Sequence, residues 1–201
     1  MPHFFIFIAD AAGICAIQQI RLNNPQESTL VTGVKRDTLL LKNVTSVKNS
    51  VLTVLDISSH ANRGPLLKLL KQGNTIHYFD HHFSGEIPES PLFHPHIDTS
   101  PDVCTSIIVD RFLKGVHRSW AIVASFGDNL HSSALKLAYS LSLDATETEE
   151  LREMGELINY NSYGETVEDL YYSPESLYRA IHTYSDPLLS LIHISEPTRP
   201  Y

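Results

Sequence analysis

The tripeptide Asp80-His81-His82 places a carboxylate beside two imidazoles, directly after a strand-like run at residues 75–79. That run is rich in β-branched and aromatic residues, which favours a buried β-strand. Carboxylates and imidazoles together suit Mn²⁺ or Mg²⁺, and suit Zn²⁺ less well. The tripeptide therefore indicates a strand end at which side chains can hold and serve a divalent metal ion.

Three further aspartates, each placed after an apolar run, repeat this pattern: Asp10, Asp56 and Asp128. In an open α/β sheet, ligands bind outside the carboxyl ends of the strands. Side chains that follow successive strands would therefore collect at one edge of the sheet. We expect a shared metal site at that edge, formed by Asp10, Asp56, His81 and Asp128.

Each aspartate also has a simpler interpretation. Asp10 could cap a helix that begins at Ala11, and Asp56 could cap the next helix. Asp128 lies in a Gly-Asp-Asn sequence and could be an ordinary turn residue, although it also ends the apolar run at residues 120–126. The occurrence of all three at the ends of successive apolar runs favours one shared site.

Apolar runs alternate with segments of helical periodicity along the chain. This alternation predicts an α/β fold with a mostly parallel β-sheet flanked by helices. The predicted strands cover residues 3–9, 28–32, 51–57 and 74–79, and the predicted helices cover residues 13–22, 61–71, 103–113, 131–141 and 147–158. Residues 83–101, rich in Pro, Ser and His, are predicted to form a surface loop beside the site.

Two helix starts have recognisable signals. Thr146 and Glu149 have the spacing of a capping box before a segment with apolar residues at helical spacing. Ser173 followed by Pro174 predicts the start of another helix, because proline is favoured in the first turn.

The composition limits the functional class. The 201 residues are 42% hydrophobic and 19% charged, which is typical of a globular chain, and the net charge is −8. This acidity argues against binding duplex nucleic acid, but it is compatible with a small phosphorylated substrate once cations are bound. No apolar run approaches the ~20 residues of a membrane span, so no membrane partner is expected. Two distant cysteines and a first segment without a basic start predict a cytoplasmic protein.

These motifs together resemble those of the DHH phosphoesterases, a family of RecJ-like nucleases, oligonucleotide and cyclic-dinucleotide phosphodiesterases and manganese-dependent inorganic pyrophosphatases. The tripeptide that begins at Asp80 matches the name-giving motif, Asp56 matches the second motif, and Gly127-Asp128 matches the fourth. The segment around Thr105 resembles the helix start that follows the DHH loop. The resemblance covers about residues 2–164 and implies a DHH-type α/β domain.

The first motif departs from the family pattern, in which His or Asp, Asp and Asp stand at alternating positions before Gly or Ala. Aligned on Gly13, this chain has Ile8, Asp10 and Ala12 at those positions. Only the middle ligand is retained. Residues 31–36 match no motif of the family and receive no role from the resemblance.

The resemblance implies two incomplete ligand sets that share Asp56. One metal ion would keep Asp10 and Asp56, and the other would keep Asp56, His81 and Asp128. The expected cofactor is Mn²⁺ or Mg²⁺, as one or two ions. Histidines that could compensate for the lost ligands are His3, His60 and His77.

The implied activity is metal-dependent hydrolysis of a phosphodiester or phosphoanhydride in a nucleotide or short oligonucleotide. Within it, His82 would contact the phosphate or help the leaving group, and Asp80 would support the site from behind the ligands. Two other hypotheses stay open. One is a degenerate, non-catalytic DHH domain that binds nucleotides or acts as a scaffold. The other is an unrelated α/β binding module whose acidic residues are helix caps.

The resemblance also divides the chain into segments. Residues 1–145 are predicted to form the DHH domain, and residues 146–188 a helical connecting segment. Residues 189–201 resemble a translated sequencing-adapter sequence, so we expect the natural reading frame to continue differently beyond residue 188. Any substrate-binding domain would lie in that missing part.

Overall fold

The structure, a computed structural model, describes residues 1–194, and it describes side chains as far as residue 190. Five strands form one parallel sheet: β1 (His3–Ile8), β2 (Thr29–Gly33), β3 (Val51–Leu55), β4 (Thr75–Asp80) and β5 (Phe93–Ile97). Their order in the sheet is β2-β1-β3-β4-β5. The predicted α/β fold with a parallel sheet is therefore confirmed.

The strand order reverses at β1. The chain moves from β1 to β2 on one side and then returns to β3 on the other side of β1. A crevice forms outside the carboxyl ends of the strands at such a switch point, and ligands of open α/β sheets bind there. Asp10 follows β1 and Asp56 follows β3, so the first two predicted ligands flank this crevice.

The helices are α1 (Ala11–Asn23), α2 (Arg63–Lys71), α3 (Thr105–Phe112), α4 (Arg118–Gly127), α5 (His131–Ser140), α6 (Ala145–Asn161), α7 (Pro174–Ile181) and α8 (Pro187–Ile194). Short 3-10 helices at Leu40–Val44 and Val167–Asp169 complete the described elements. The predicted helices are present, with ends shifted by a few residues. Ser173 caps α7 and Pro174 stands in its first turn, as predicted.

The two faces of the sheet bury different clusters because side chains alternate along each strand. Phe5 and Phe7 of β1 face a large cluster built with α1, α3, α4 and α6. Ile6 and Ile8 face a smaller cluster built with the 3-10 helix at Leu40–Val44 and with α2. Burial on both faces explains why these strands are continuous apolar runs.

Three sequence predictions need correction. Residues 83–101 are not entirely loop, because they include β5, an edge strand that contains Pro95, a residue untypical of strands.

The apolar run at residues 120–126 is α4 rather than a strand, and every residue of α4 from Trp120 to Gly127 is buried. A helix that is apolar on all sides has no readable period. The capping box of α6 is formed by Asp144 and Glu147, not by the Thr146–Glu149 pair.

In the part of the chain that the structure describes, no helix has both the length and the apolar character needed to cross a membrane. The segment that resembles adapter sequence covers residues 189–201. Residues 195–201 of it lie outside the described part, and its origin stays a prediction, as do the predicted segment boundaries.

Candidate metal centre

Asp56 lies at the centre of the site and has an unusual backbone. Its N–H donates to the Phe79 carbonyl (3.0 Å), which continues the β3–β4 pairing by one residue. Its φ angle is +62°, in the left-handed region that few residues other than glycine adopt. This turn ends β3 and buries the carboxylate at the sheet edge, with 2% of the residue exposed. Asp56 does not cap α2, whose N-cap is Asn62.

The Asp56 carboxylate accepts a hydrogen bond from the Thr105 hydroxyl at the start of α3. Burial and the charges of Asp10 and Asp128 raise the pKa of Asp56 well above its ordinary value, whereas the Thr105 hydrogen bond lowers it. A buried carboxylate that is crowded by other carboxylates is stabilised by any nearby cation. The Asp56 carboxylate could therefore serve as a cation ligand.

His81 is held in the orientation that metal-binding histidines need. Its Nδ1 hydrogen-bonds the Val103 carbonyl (2.9 Å), and a carbonyl can only accept, so Nδ1 carries the proton. The Nε2 lone pair is then free. Nε2 lies 3.5 Å from Asp56 Oδ1 and 3.9 Å from Asp128 Oδ2. His81 can therefore join both carboxylates on one ion.

His82 is oriented by Asp80. Its Nδ1 lies 2.7 Å from Asp80 Oδ1, and this hydrogen bond raises the pKa of His82 against the lowering effect of burial. Asp80 is fully buried, and its Oδ2 is a buried atom without a hydrogen-bond partner among the described residues. Such carboxylate–histidine pairs orient a metal ligand or a proton donor. Either role is open to the His82 Nε2.

Asp128 reaches the site from a helix end. It is the C-cap of α4, where the helix dipole is unfavourable to a negative charge. Gly127 permits this placement, because a Cβ there would lie 2.4 Å from the Ala11 Cβ, at the start of α1. Burial and Asp10 raise the pKa of Asp128, and His81 and Lys35 lower it. The Lys35 ammonium thus offsets part of the unfavourable environment of the Asp128 carboxylate.

Asp10 does cap α1, because its Oδ1 accepts a hydrogen bond from the Gly13 N–H (3.0 Å). The simpler interpretation of this residue is therefore confirmed. Its other oxygen, Oδ2, lies 3.2 Å from the Lys35 Nζ. Lys35 Nζ also donates to Asn159 Oδ1 (3.0 Å) and lies 4.0 Å from Asp128 Oδ1.

The site thus has two parts. The histidine half consists of Asp56, His81 and His82, whose potential ligand atoms lie within 4.8 Å of one another. The lysine half consists of Asp10, Lys35 and Asn159. Asp128 lies between the halves and contacts both. Of the four predicted ligands, the structure brings Asp56, His81 and Asp128 together, and it pairs Asp10 with Lys35.

Together with Asp128, the histidine half offers a donor set that fits a divalent ion: the His81 imidazole and the carboxylates of Asp56 and Asp128. The lysine half does not fit a second one. Ile8 and Ala12, at the two altered positions of the first motif, are buried in the smaller and the larger hydrophobic cluster respectively. The side-chain oxygens of Asp10 and Asn159 are already occupied by the Lys35 ammonium group.

The histidines that could have compensated lie elsewhere. His3 hydrogen-bonds Thr53 (2.9 Å), and His77 stacks on His94, 4.8 Å between ring centroids. His60 contacts the ring of Phe83. The partners of these three histidines are not residues of either half of the site.

Lys35 and Asn159 were missed by the sequence analysis. Lys35 had a usable signal, since it comes two residues after β2 and therefore lies at the same sheet edge as Asp10. A protonated lysine cannot ligate a metal ion, so a pattern of metal ligands does not include it. Asn159 had none, because its position in α6 reaches the site only through tertiary packing.

Comparisons with known proteins identify solved structures that share the fold of this chain. No protein-family model matches the chain, and no curated protein matches it. Among solved structures, a DHH domain described as a member of a family of ribosomal proteins is similar, with a TM-score of 0.59 and 14% identity over 96% of this chain and 55% of that one. This likeness shows that the chain has the fold of a DHH domain.

Two RecJ structures are also similar at lower scores. Exonuclease RecJ bound to manganese has a TM-score of 0.48 and 16% identity over 94% of this chain and 55% of its own. RecJ from Thermus thermophilus, in complex with Mn²⁺, has a TM-score of 0.47 and 13% identity over 92% of this chain and 35% of its own. The chain spans about half of the length of the DHH-domain structure and of the first RecJ structure, and about a third of the length of the second RecJ structure.

Proposed function

We propose that this chain, which has the fold of a DHH domain, is a metal-dependent phosphoesterase that acts on a nucleotide or a short oligonucleotide. The observation that carries the proposal is the convergence of Asp56, His81 and Asp128 at the switch point of the sheet. These three side chains are the proposed ligands of one Mn²⁺ or Mg²⁺ ion. Such an ion would polarise phosphoryl oxygens and lower the pKa of a water molecule toward ~7.

The chain's own residues would perform the remaining steps. Asp80 holds His82 with Nε2 free and favours its protonated form. A protonated His82 can donate its Nε2 proton to a leaving oxygen, which is one of the two roles that the family resemblance implies for it. Asp80 touches no substrate in this arrangement and acts through His82.

The negative charge of the protein favours a small phosphorylated substrate over duplex nucleic acid. The site carries four aspartates, Lys35 is the one lysine or arginine within it among the described residues, and the chain has a net charge of −8. Duplex nucleic acid needs a row of cationic contacts to its phosphates, which this edge does not offer. A single phosphodiester or phosphoanhydride group needs far less.

The test is hydrolysis of a generic phosphodiester and of short single-stranded oligonucleotides with Mn²⁺, with Mg²⁺ and with EDTA. We expect turnover with a metal ion and none with EDTA. Asp56→Asn should abolish turnover, and the exposed Asp102→Asn should leave it unchanged. Metal binding without turnover of any of these substrates would contradict the proposal.

The second candidate is a non-catalytic DHH domain that binds nucleotides. It is favoured by one observation, the ion pair between Lys35 and Asp10, because it neutralises part of a site that could otherwise serve catalysis. Tight binding of a nucleotide with Mn²⁺, unaccompanied by hydrolysis, is the result that would select this candidate over the first.

A further inference from the structure

The Lys35 ammonium lies in a cage of oxygens. Asp10 Oδ2 is 3.2 Å away, Asn159 Oδ1 is 3.0 Å away and Asp128 Oδ1 is 4.0 Å away. The centroid of the Tyr163 ring lies 5.7 Å from Nζ, within the range of a cation–π contact. Four groups from three parts of the chain thus converge on one positive charge.

The cage is part of the folded core rather than a flexible surface pair. Val34 is 5% exposed, and the last residue of β2, Gly33, pairs with Ile8 in β1. Asp10 is 3% exposed and is fixed as the cap of α1. Asn159 is 9% exposed in α6, which packs closely against α4. The Lys35 side chain keeps 30% of its surface exposed.

The aspartates around this position need a cation. The charges of Asp10 and Asp128 disfavour ionisation of Asp56, and the charge of Asp10 disfavours ionisation of Asp128. Asp10 and Asp56 are buried, and the Asp128 side chain is 17% exposed. Buried like charges are tolerated when a counter-charge is present. A divalent ion bound by Asp56 and Asp128 would leave Asp10 with the Lys35 ammonium as its counter-charge.

The altered first motif gives an independent indication. A second metal ion would need ligands in addition to Asp10, and the neighbouring motif positions hold the buried apolar residues Ile8 and Ala12. The same half of the site holds an ammonium group that no motif accounts for. The apolar residues and the internal cation both argue against a second metal ion at this position.

We propose that the Lys35 ammonium permanently takes the place of a second metal ion, so that this site works with one exchangeable divalent cation. This inference rests on the proposed metal-dependent function for its one-ion state. Lys35 is then a positioning residue: it holds Asp10 and Asp128 and leaves the chemistry to the histidine half.

The test counts metal ions in the full chain by calorimetry and by elemental analysis after dialysis against Mn²⁺. We expect about one ion per chain in the parent protein and about two in Lys35→Ala, where the oxygens of Asp10, Asn159 and Asp128 become available to a second ion. Without metal, Lys35→Ala should melt at a lower temperature than the parent, and Mn²⁺ should restore most of the loss.

Two variants serve as controls. Lys42→Ala removes a more exposed lysine, 3.6 Å from Asp37, and should change neither the ion count nor the metal-free melting temperature. Lys35→Arg keeps the positive charge and should keep the count at about one. Circular dichroism of each variant verifies that the chain is folded.

Two ions in the parent protein would overturn the inference. So would an unchanged count and melting temperature in Lys35→Ala, or an effect of that variant confined to the KM for substrate, which would make Lys35 a phosphate ligand. If the parent protein binds no ion and Lys35→Ala gains one, the proposed function fails while the role of Lys35 stands.

Discussion

The two halves of the site satisfy the same electrostatic demand in different ways. In the lysine half, the charge of Asp10 is balanced within the chain by Lys35. In the histidine half, Asp56 is surrounded by carboxylates, and its nearest partners are a hydroxyl and an imidazole. The first half is balanced within the folded protein, whereas the proposed function supplies the second half with a cation from solution. Metal dependence should therefore be confined to the histidine half.

The largest expected effect comes from Asp56→Asn. Removing a charged ligand should lower Mn²⁺ affinity by more than about 100-fold, since even the partners of ligands account for about 10–100-fold. Asparagine is chosen because it also tolerates the positive φ at this position. Calorimetric titration with Mn²⁺ measures the loss.

The same variant should be more stable than the parent protein when no metal is present. The pKa of Asp56 is raised in the folded state, so ionising this carboxylate at neutral pH destabilises the fold, and asparagine avoids that. The exposed Asp102→Asn is the matched control and should alter neither quantity. A destabilised Asp56→Asn with full Mn²⁺ affinity would refute the comparison between the halves.

Metal removal should have the next largest effect. Mn²⁺ at about 100 times its Kd should stabilise the fold by ~2.7 kcal/mol, which corresponds to a melting temperature ~5–10 °C higher. Thermal melts with Mn²⁺ and with EDTA measure this difference.

The effect of the metal should also depend on pH. The raised pKa values of Asp56 and Asp128 mean that protons compete with the ion, so the stabilisation should grow as the pH rises from acidic to mildly alkaline. Equal stabilisation across that range would indicate that neither carboxylate is a ligand.

Thr105→Val should have a smaller effect on the same half. The Thr105 hydroxyl donates to Asp56 and favours its ionised form. Losing a hydrogen bond to a charged group is worth ~1.5 kcal/mol or more, or about 10-fold in Mn²⁺ affinity. Ser133→Ala, which removes a hydroxyl bonded to the Asp102 carbonyl, is the control and should leave affinity unchanged.

The sequence predicts the sheet edge better than it predicts the contacts there. Asp10, Asp56 and His81 follow buried strands, and period and burial make such strands readable from one chain. The sequence predicts Asp128 at the same edge on the assumption that the apolar run before it is a strand. That run is the buried helix α4, which resembles a buried strand in composition. The Asp128 carboxylate reaches the site because Gly127 allows α4 to approach α1 closely.

The lysine half is only partly readable from the sequence, for a physical reason. The hydrogen bond from Lys35 to Asn159 depends on α6 and the end of β2 meeting at the sheet edge, and these two residues are 124 positions apart in the chain. No local pattern encodes a contact of that kind. The same applies to the left-handed φ of Asp56, since aspartate is compatible with several backbone conformations.

The smallest expected effect is a change in the pKa of His82 when Asp80 is replaced. This change helps to decide whether His82 is a proton donor or a metal ligand. In the parent protein the hydrogen bond to Asp80 raises the pKa of His82 above 6.5, so the stability that it contributes is present below 6.5 and is lost as the pH rises through the folded value. In Asp80→Asn the pKa should move back toward 6.5, because a neutral amide no longer favours the imidazolium. NMR titration of the imidazole protons measures both values.

His96 is the internal control for this titration. Its pKa is lowered by burial and by His94, and it should not respond to Asp80→Asn. Repeating the titration with diamagnetic Mg²⁺ then separates two roles for His82. If His82 still titrates with the ion bound, its Nε2 is free to donate a proton, as the proposed mechanism requires. If the titration disappears while His96 is unchanged, His82 is a metal ligand, and the proton for the leaving group must come from another residue or from solvent.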